Sequence, residues 1–384
     1  MKKLLILLPA LIILIFGALA LGGCVPETPA ETPVDTPAEE AQGPAESAAS
    51  LEDALSDEIY TISVARPGLD IKIACIIVAH ELGYYEEEGV NVTFEQVADL
   101  ATGLTAVSTG AIDVLPFGVI PSCSFVSQGV DVVVFGGTIA EGSEALVQAD
   151  QADKYQEAQD FAGAKIGCFR METGHMVMKG WLREQGLDVN KDVEWIYMDS
   201  MASIAEGVRK GEIDLGFVNS GYGYVALQGG GLAVGFQVGD YANNFPCCRQ
   251  TTSRAALTEK HDGFVRYMIA NLRAYQTIMD DQAQAVQVLA DYSGQPAEYV
   301  ENVIYGTDSY NPAMIISMDP CKTAVAAFYQ TMIANGDIDA ATTYEMADQV
   351  DTEIYETALK IMAEREPDNS LWAGLLDAFP ANNL

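Results

Sequence analysis

The sequence predicts an α/β protein of two similar lobes followed by a helical C-terminal region. Three observations carry this. Apolar runs of strand length alternate with helical patterns from residue 59 to about 218. The pattern Gly-x-Ile-Asp stands twice between a helix and an apolar strand, as Gly110-Ala-Ile-Asp113 and Gly211-Glu-Ile-Asp214. After Arg254 the spacing turns helical almost throughout, with no third copy that leads into an apolar strand. Strands alternating with helices, and near-continuous apolar runs such as 130–136, imply a mostly parallel sheet buried on both faces.

Taken in order, 59–65 is a β-rich run and 73–85 has helical apolar spacing that ends at Gly83, while 90–97 alternates as a strand does. A helix over 100–109 leads to the first Gly-x-Ile-Asp and a strand at 114–117; a helix near 121–128 precedes the strand 130–136. The second lobe repeats the grammar: strand 164–169, helix 173–185, strand 193–198, helix 202–210, strand 215–218. In both copies the Gly suits a helix C-cap and the Asp the turn beyond it, which makes the motif structural. In the tail, Phe264, Met268, Leu272 and Tyr275 fall on one face of a long helix.

Upstream lies a different kind of segment. Lys2 and Lys3, an apolar run over 4–21 and Leu21-Gly-Gly-Cys24 read as an export signal, 1–23, ending in a lipobox, so that the mature chain is expected to start at Cys24, lipidated and held at a membrane outside the cytoplasm. Residues 24–58 are rich in Pro, Ala, Thr and Glu with almost no large apolar side chains, as expected of a solvated stalk. The chain has 20 Lys+Arg against 55 Asp+Glu, a formal charge of −35, which argues against nucleic acid as a partner.

Of the 7 cysteines, six follow Cys24, and no C-x-x-C pair suggests zinc. Cys247-Cys248 is the unusual feature. Neighbours in a regular strand point to opposite faces, so at most one of the two is expected to face a cleft, with Arg249 sharing the face of Cys247; joint metal chelation would need a bend. No Gly-x-Ser-x-Gly, His-Glu-x-x-His or Walker loop is present, and His80, His175 and His261 lie far apart, so neither a catalytic site, a metal nor a cofactor is expected. His80 is expected to face solvent.

The run Ile76-Ile-Val-Ala-His-Glu-Leu-Gly-Tyr-Tyr85, then Glu88-Gly-Val-Asn-Val92, Gly110 to Asp113, Phe161-Ala-Gly-Ala-Lys-Ile-Gly167 and Glu259-Lys-His-Asp-Gly-Phe-Val-Arg266 occur in an order that resembles the nitrate, sulfonate and taurine class of ABC-transporter substrate-binding proteins. The resemblance covers about 59–280. It implies the type II periplasmic-binding-protein architecture: two α/β lobes joined by two crossover strands, with the ligand cleft between them. On this chain lobe 1 would be 59–152 plus 254–384 and lobe 2 would be 153–246, with crossings near 142–148 and 247–253. A monomer is expected, delivering a small-molecule solute to an ABC permease and its ATPase.

In doubly wound lobes ligands sit beyond the carboxyl ends of the strands. That rule nominates Asp70, Phe117, Gly118, Thr138, Glu172, Thr173, Gly174, His175, Asn219, Ser220 and Tyr222. The resemblance points to the positions of Gly118, Thr138, Thr173 and Asn219. Such residues also serve as turn formers and caps for local reasons. The helix N-terminus at Glu172-Thr-Gly-His175 is expected to meet a polar group of the solute, with Gly174 permitting close approach, although Glu172 could satisfy the same donors itself and so favours a neutral or zwitterionic solute over an anion. Two alternatives share this pattern: a thiamine-pyrimidine-precursor binding or synthase-like protein, which as an enzyme would need a reactive Lys or His in the cleft, and a sensory solute receptor.

Overall fold

A computed structural model describes residues 50–169 and 172–384. The export signal, the lipidation of Cys24 and the stalk as far as residue 49 lie outside the described residues, as do Arg170 and Met171. Strands β1 (Tyr60–Arg66) and β2 (Val90–Gln96) pair in parallel along their whole length, Tyr60 opposite Val90. Between them run α1 (Ala74–Glu81) and the short α2 (Tyr84–Glu87), separated by Gly83 at φ 76°. Residues 74–79 are all buried, so α1 has no polar face over most of its length; it is held between the sheet and the C-terminal helices. His80, expected in solvent, is half-buried with its ring 5.0 Å from Phe94.

Helix α3 (Leu100–Ser108) starts at Asp99, whose carboxylate accepts from the Thr102 N–H, and α4 (Val119–Ser127) follows Gly118. The stretch 114–117, expected as a strand, makes only single bridges, Val64 with Val114 and Leu115 with Thr251. Pro116 has no N–H to donate, which breaks the ladder there. Strand β3 (Val132–Glu141), buried throughout, completes this part of lobe 1.

Lobe 2 is a five-stranded sheet. In chain order it comprises β4 (Ser143–Gln148), β5 (Lys165–Cys168), α5 (Thr173–Glu184), β6 (Glu194–Tyr197), α6 (Met201–Arg209), β7 (Leu215–Asn219), α7 (Tyr222–Leu227) and β8 (Leu232–Gln237). The spatial order is β6-β5-β7-β4-β8, with β4 antiparallel to both neighbours. The two Gly-x-Ile-Asp copies do the same work in each lobe. Asp113 accepts the Ser63 N–H at 2.9 Å, tying the approach to the Val114 bridge to β1, and Asp214 accepts the Lys165 N–H at 2.8 Å, tying the start of β7 to β5.

Strand β9 (Pro246–Ser253) then runs antiparallel to β3 in the lobe 1 sheet, with β10 (Met314–Ile316) on the other side of β3. The tail supplies α8 (Arg254–Glu259), α9 (His261–Asp280), α10 (Gln282–Ser293), α11 (Ala297–Tyr305), α12 (Lys322–Asn335), α13 (Glu353–Arg365) and α14 (Ser370–Asn383). Phe264, Met268 and Leu272 of α9 are fully buried, as the helical spacing predicts.

The passages between lobes are shorter than expected. Gly142, at φ 89°, is the single residue between β3 of one sheet and β4 of the other. The return passes through 238–245, before β9, so 247–253 lies wholly in the lobe 1 sheet. Glu141 clips the two passages together: its carboxylate accepts the Asn244 N–H at 2.8 Å and its own N–H donates to the Phe245 carbonyl at 2.9 Å.

Residues 50–58, grouped by composition with the stalk, are described here against lobe 1. Glu52 pairs with Arg365, and Ser56 donates its N–H to Asp262 and accepts from Arg266. Among the described residues no helix is long and apolar enough to cross a membrane.

Two outcomes follow from these contacts. A chain starting at Ile59 should melt about 1–2 °C below one starting at Ser50, having lost partly exposed pairs worth about 1 kcal/mol together; equal melting temperatures would show that 50–58 contributes nothing. Asp214→Ala should cost about 1–2 kcal/mol in denaturant unfolding, and Asp113→Ala more, roughly 3 kcal/mol. The difference arises because Asp113 also binds the Lys260 ammonium at 2.8 Å and the Ser63 hydroxyl at 2.9 Å.

Candidate functional site

Between the lobes lies a cavity of about 430 Å³. Lobe 1 contributes the turn after β1, with Asp70 and Lys72, and Ser293, Gln295 and Tyr299 from the tail; lobe 2 contributes Asn219, Ser220, Gly221 and Tyr222 from the end of β7. Each wall is thus built where a parallel strand ends, as the doubly wound topology requires. A second cavity of about 320 Å³ lies between α5 and α12 and meets no such strand ends.

Asp70 begins a 3-10 turn by accepting the Lys72 N–H at 2.9 Å, and its other oxygen lies 3.5 Å from the Lys72 ammonium. Burial by itself would lower the Lys72 pKa, but Asp70 and the nearby sulfurs of Cys248 and Cys247 outweigh it and hold the ammonium above its usual range. Across the cleft the Ser220 hydroxyl is buried without a hydrogen-bond partner. Glu144, on β4, accepts from the Tyr310 hydroxyl at 2.5 Å and the Gly221 N–H at 2.9 Å through one oxygen, while the other is unpartnered. Burial pushes its carboxyl up to about 7, against the opposing pull of the Tyr310 hydroxyl, Gly221 and Lys72.

Of the residues nominated from sequence, Asp70, Asn219, Ser220 and Tyr222 line this cavity. Phe117 is buried in the lobe 1 core. Gly118, at φ 56°, precedes α4, and Thr138 is buried with its hydroxyl 3.4 Å from the Pro116 and Cys248 carbonyls. The segment 172–175 is buried and inward-turned. Glu172 accepts the N–H groups of Gly174 and His175 at 2.8 and 2.7 Å, and also binds the Ser143 hydroxyl. His175 Nδ1 lies 3.3 Å from the same carboxylate, while its Nε2 is buried without a partner. Although burial raises a carboxyl, the His175 and Ser143 hydrogen bonds hold Glu172 below its ordinary value. A Cβ on Gly174 would sit 2.0 Å from the Ser143 oxygen, so this glycine is required for packing on β4.

Sequence reasoning singled out neither Lys72 nor Glu144, nor any residue of the tail wall. Lys72 stood in a nominated loop; Tyr299 and Gln295 belong to helical sequence with no loop signal. The cysteine pair departs from the regular-strand expectation. Register shifts on either side of Cys248 leave Cys247 without a cross-strand partner, and the two sulfurs come within 3.8 Å of each other. A bulge supplies the bend that alternation alone would not. Among the described residues no group of three or more His, Cys, Asp or Glu is placed to hold a metal ion.

The likenesses to known proteins agree with this geometry. The chain is similar to the periplasmic aliphatic sulphonate binding protein SsuA from Escherichia coli, at 18% identity over 78% of this chain and 99% of that one, TM-score 0.62. It is similar to the periplasmic nitrate-binding protein NrtA from Synechocystis, at 14% identity over 82% and 91%, TM-score 0.62. The desulfurization enzyme DszB, solved as a mutant in complex with biphenyl-2-sulfinic acid, has the fold too, at 16% identity over 79% and 99%, TM-score 0.55. At such identities the likeness shows the fold, which is the type II periplasmic-binding-protein architecture. No curated protein matches the sequence. A model of the NMT1/THI5 like family matches residues 70–285, more than half of the 384, and with the two-lobed fold beside it the chain belongs to that family.

Proposed function

We propose that this protein is an extracytoplasmic solute-binding protein, anchored through lipid on Cys24, that captures a small solute between its lobes and delivers it as a monomer to an ABC permease and its ATPase. The observation that carries this reading is the interlobe cavity, whose polar lining comes from strand ends of both lobes. Family membership and the fold shared with sulfonate- and nitrate-binding proteins support it. Lys72 speaks against an enzyme using a reactive amine: paired with Asp70, it is held protonated and is a poor nucleophile.

The solute is met, in this reading, by Asn219, Ser220 and Tyr222 from lobe 2 and by the Asp70–Lys72 pair from lobe 1. Glu172 already occupies the N-terminal donors of α5, which leaves Thr173, Gly174 and His175 a supporting role. Asp70 offsets Lys72, and among the described residues no other charged side chain lines the cavity, so the cleft is a poor host for a free anion and favours an uncharged or zwitterionic solute. Tyr222 and Tyr299 offer planar faces to it.

A thermal-shift screen against amino acids, pyrimidines, vitamins, sulfonates and nitrate tests the reading, because a ligand bound only by the folded form raises the melting temperature. With the solute found, Asn219→Ala and Ser220→Ala should each lose tenfold or more in affinity, about 1.4 kcal/mol, with melting temperature nearly preserved. Glu172→Ala should instead cost about 1–2 kcal/mol of stability, the value of a helix cap. Unchanged affinity in both lobe 2 variants would overturn the site.

A further inference from the structure

We propose that Cys248 is a thiolate site behind Lys72 at the cleft, activated by Cys247, Lys72 and the start of α4, that exchanges with small disulfides to form a mixed disulfide. The proposal goes beyond solute binding and is tested without any solute.

Four features converge on one sulfur. The bulge in β9 puts Cys247 Sγ 3.8 Å from Cys248 Sγ, where its S–H can donate. Gly118, at the N-cap of the nine-residue α4, acts on Cys248 through its backbone N–H. The Lys72 ammonium acts on both sulfurs and lines the cavity. All four are buried, but Cys247 at 8% and Cys248 at 5% keep more exposure than Cys75 and Cys123 at 1% and 0%. A neighbouring cation and a helix N-terminus are the conditions that favour thiolate over thiol.

The opposing charges are Asp70, which raises Cys248, and Glu172, which acts on Cys247. Arg249, on the same strand, spends one guanidinium nitrogen on the Ile139 and Cys248 carbonyls. The Cys247 hydrogen bond comes first among the causes that bring Cys248 down to about 7; burial opposes it, and Lys72 and Gly118 assist. Cys247 is pushed up by the same hydrogen bond and by burial, and keeps its proton.

In the exchange the Cys248 thiolate attacks one sulfur of R–S–S–R. A Cys248–S–S–R bond forms as the S–S bond breaks, and R–S⁻ leaves and takes a proton from water. Cys248 is oxidised and the departing sulfur reduced, so no further oxidant is needed. Cys247 does not displace the adduct readily. Adjacent Cα atoms stand about 3.8 Å apart, short of the usual 4.4–6.8 Å of a disulfide, so a ring between neighbours is strained.

The test treats the full chain with 2,2′-dithiodipyridine, follows release of thiopyridone, and maps the adduct by mass spectrometry. Among the six cysteines after Cys24, one rapid equivalent on Cys248 is expected, with the rate rising through a midpoint near pH 7. Lys72→Met should slow the reaction at pH 7 by about tenfold and move the midpoint up, and Cys248→Ser should abolish the rapid phase. No adduct under native conditions, a rapid adduct on Cys75, Cys123, Cys168, Cys247 or Cys321 instead, or a midpoint at about 8.5, the value of an ordinary thiol, would overturn the proposal. Peptide mapping of the unmutated chain decides the site even if a variant fails to fold.

Discussion

Two sheets share one chain through a single residue, and the arrangement of everything else follows from that passage. β3 ends at Glu141 and β4 begins at Ser143. Because Gly142 alone separates them, β4 enters lobe 2 as an interior strand, antiparallel to β7 and β8. The parallel strands of both lobes therefore end toward the same gap, which is where the cavity lies. The left-handed backbone at Glu141 and Asn244, φ 58° and 56°, is disfavoured for residues with a Cβ and persists where the surroundings over-determine it. Here the Glu141 carboxylate on the Asn244 N–H supplies part of that determination, keeping the two passages side by side.

Much of this was legible in sequence, for physical reasons that differ between elements. The strands were visible as apolar runs, but the sheets are mixed rather than mostly parallel: β3, the most continuous run, is antiparallel to both β9 and β10. The lobe repeat was visible because Gly110 and Gly211 need φ 75° and 69°, which a glycine admits freely. β4 and β8 were not. Ser-Glu-Ala-Leu-Val-Gln carries buried Ser143 and Glu144, whose polarity is absorbed by Glu172, Gly221 and Tyr310, partners far away in sequence. The cleft was half legible. Strand ends announce Asp70 and Asn219, but Tyr299 enters from a helix whose position depends on tertiary packing, and the paired sulfurs of Cys247 and Cys248 depend on a bulge that no local pattern encodes.

The same geometry limits how the lobes can move. Two passages alone would leave a free hinge, yet α12 of the tail lies across the junction. Val325, Phe328, Tyr329 and Met332 join a core that also contains Cys123 and Val126 of lobe 1 and Val177, Met178 and Leu182 of lobe 2. Asn335 at its end bonds Arg183 at 2.7 Å and donates to the Met176 carbonyl at 3.0 Å, both on α5. A well-packed core resists shear, because interiors deform by discrete repacking rather than by yielding. Opening that pulled α5 away from α12 would expose this apolar face and unpair Asn335, whereas rotation about an axis along the α5–α12 contact leaves it intact. The low-cost motion is therefore a swing in which the α12 side stays shut and the Lys72 side of the cleft opens, so that access to the cavity and to the cysteine pair behind Lys72 would vary with the same movement.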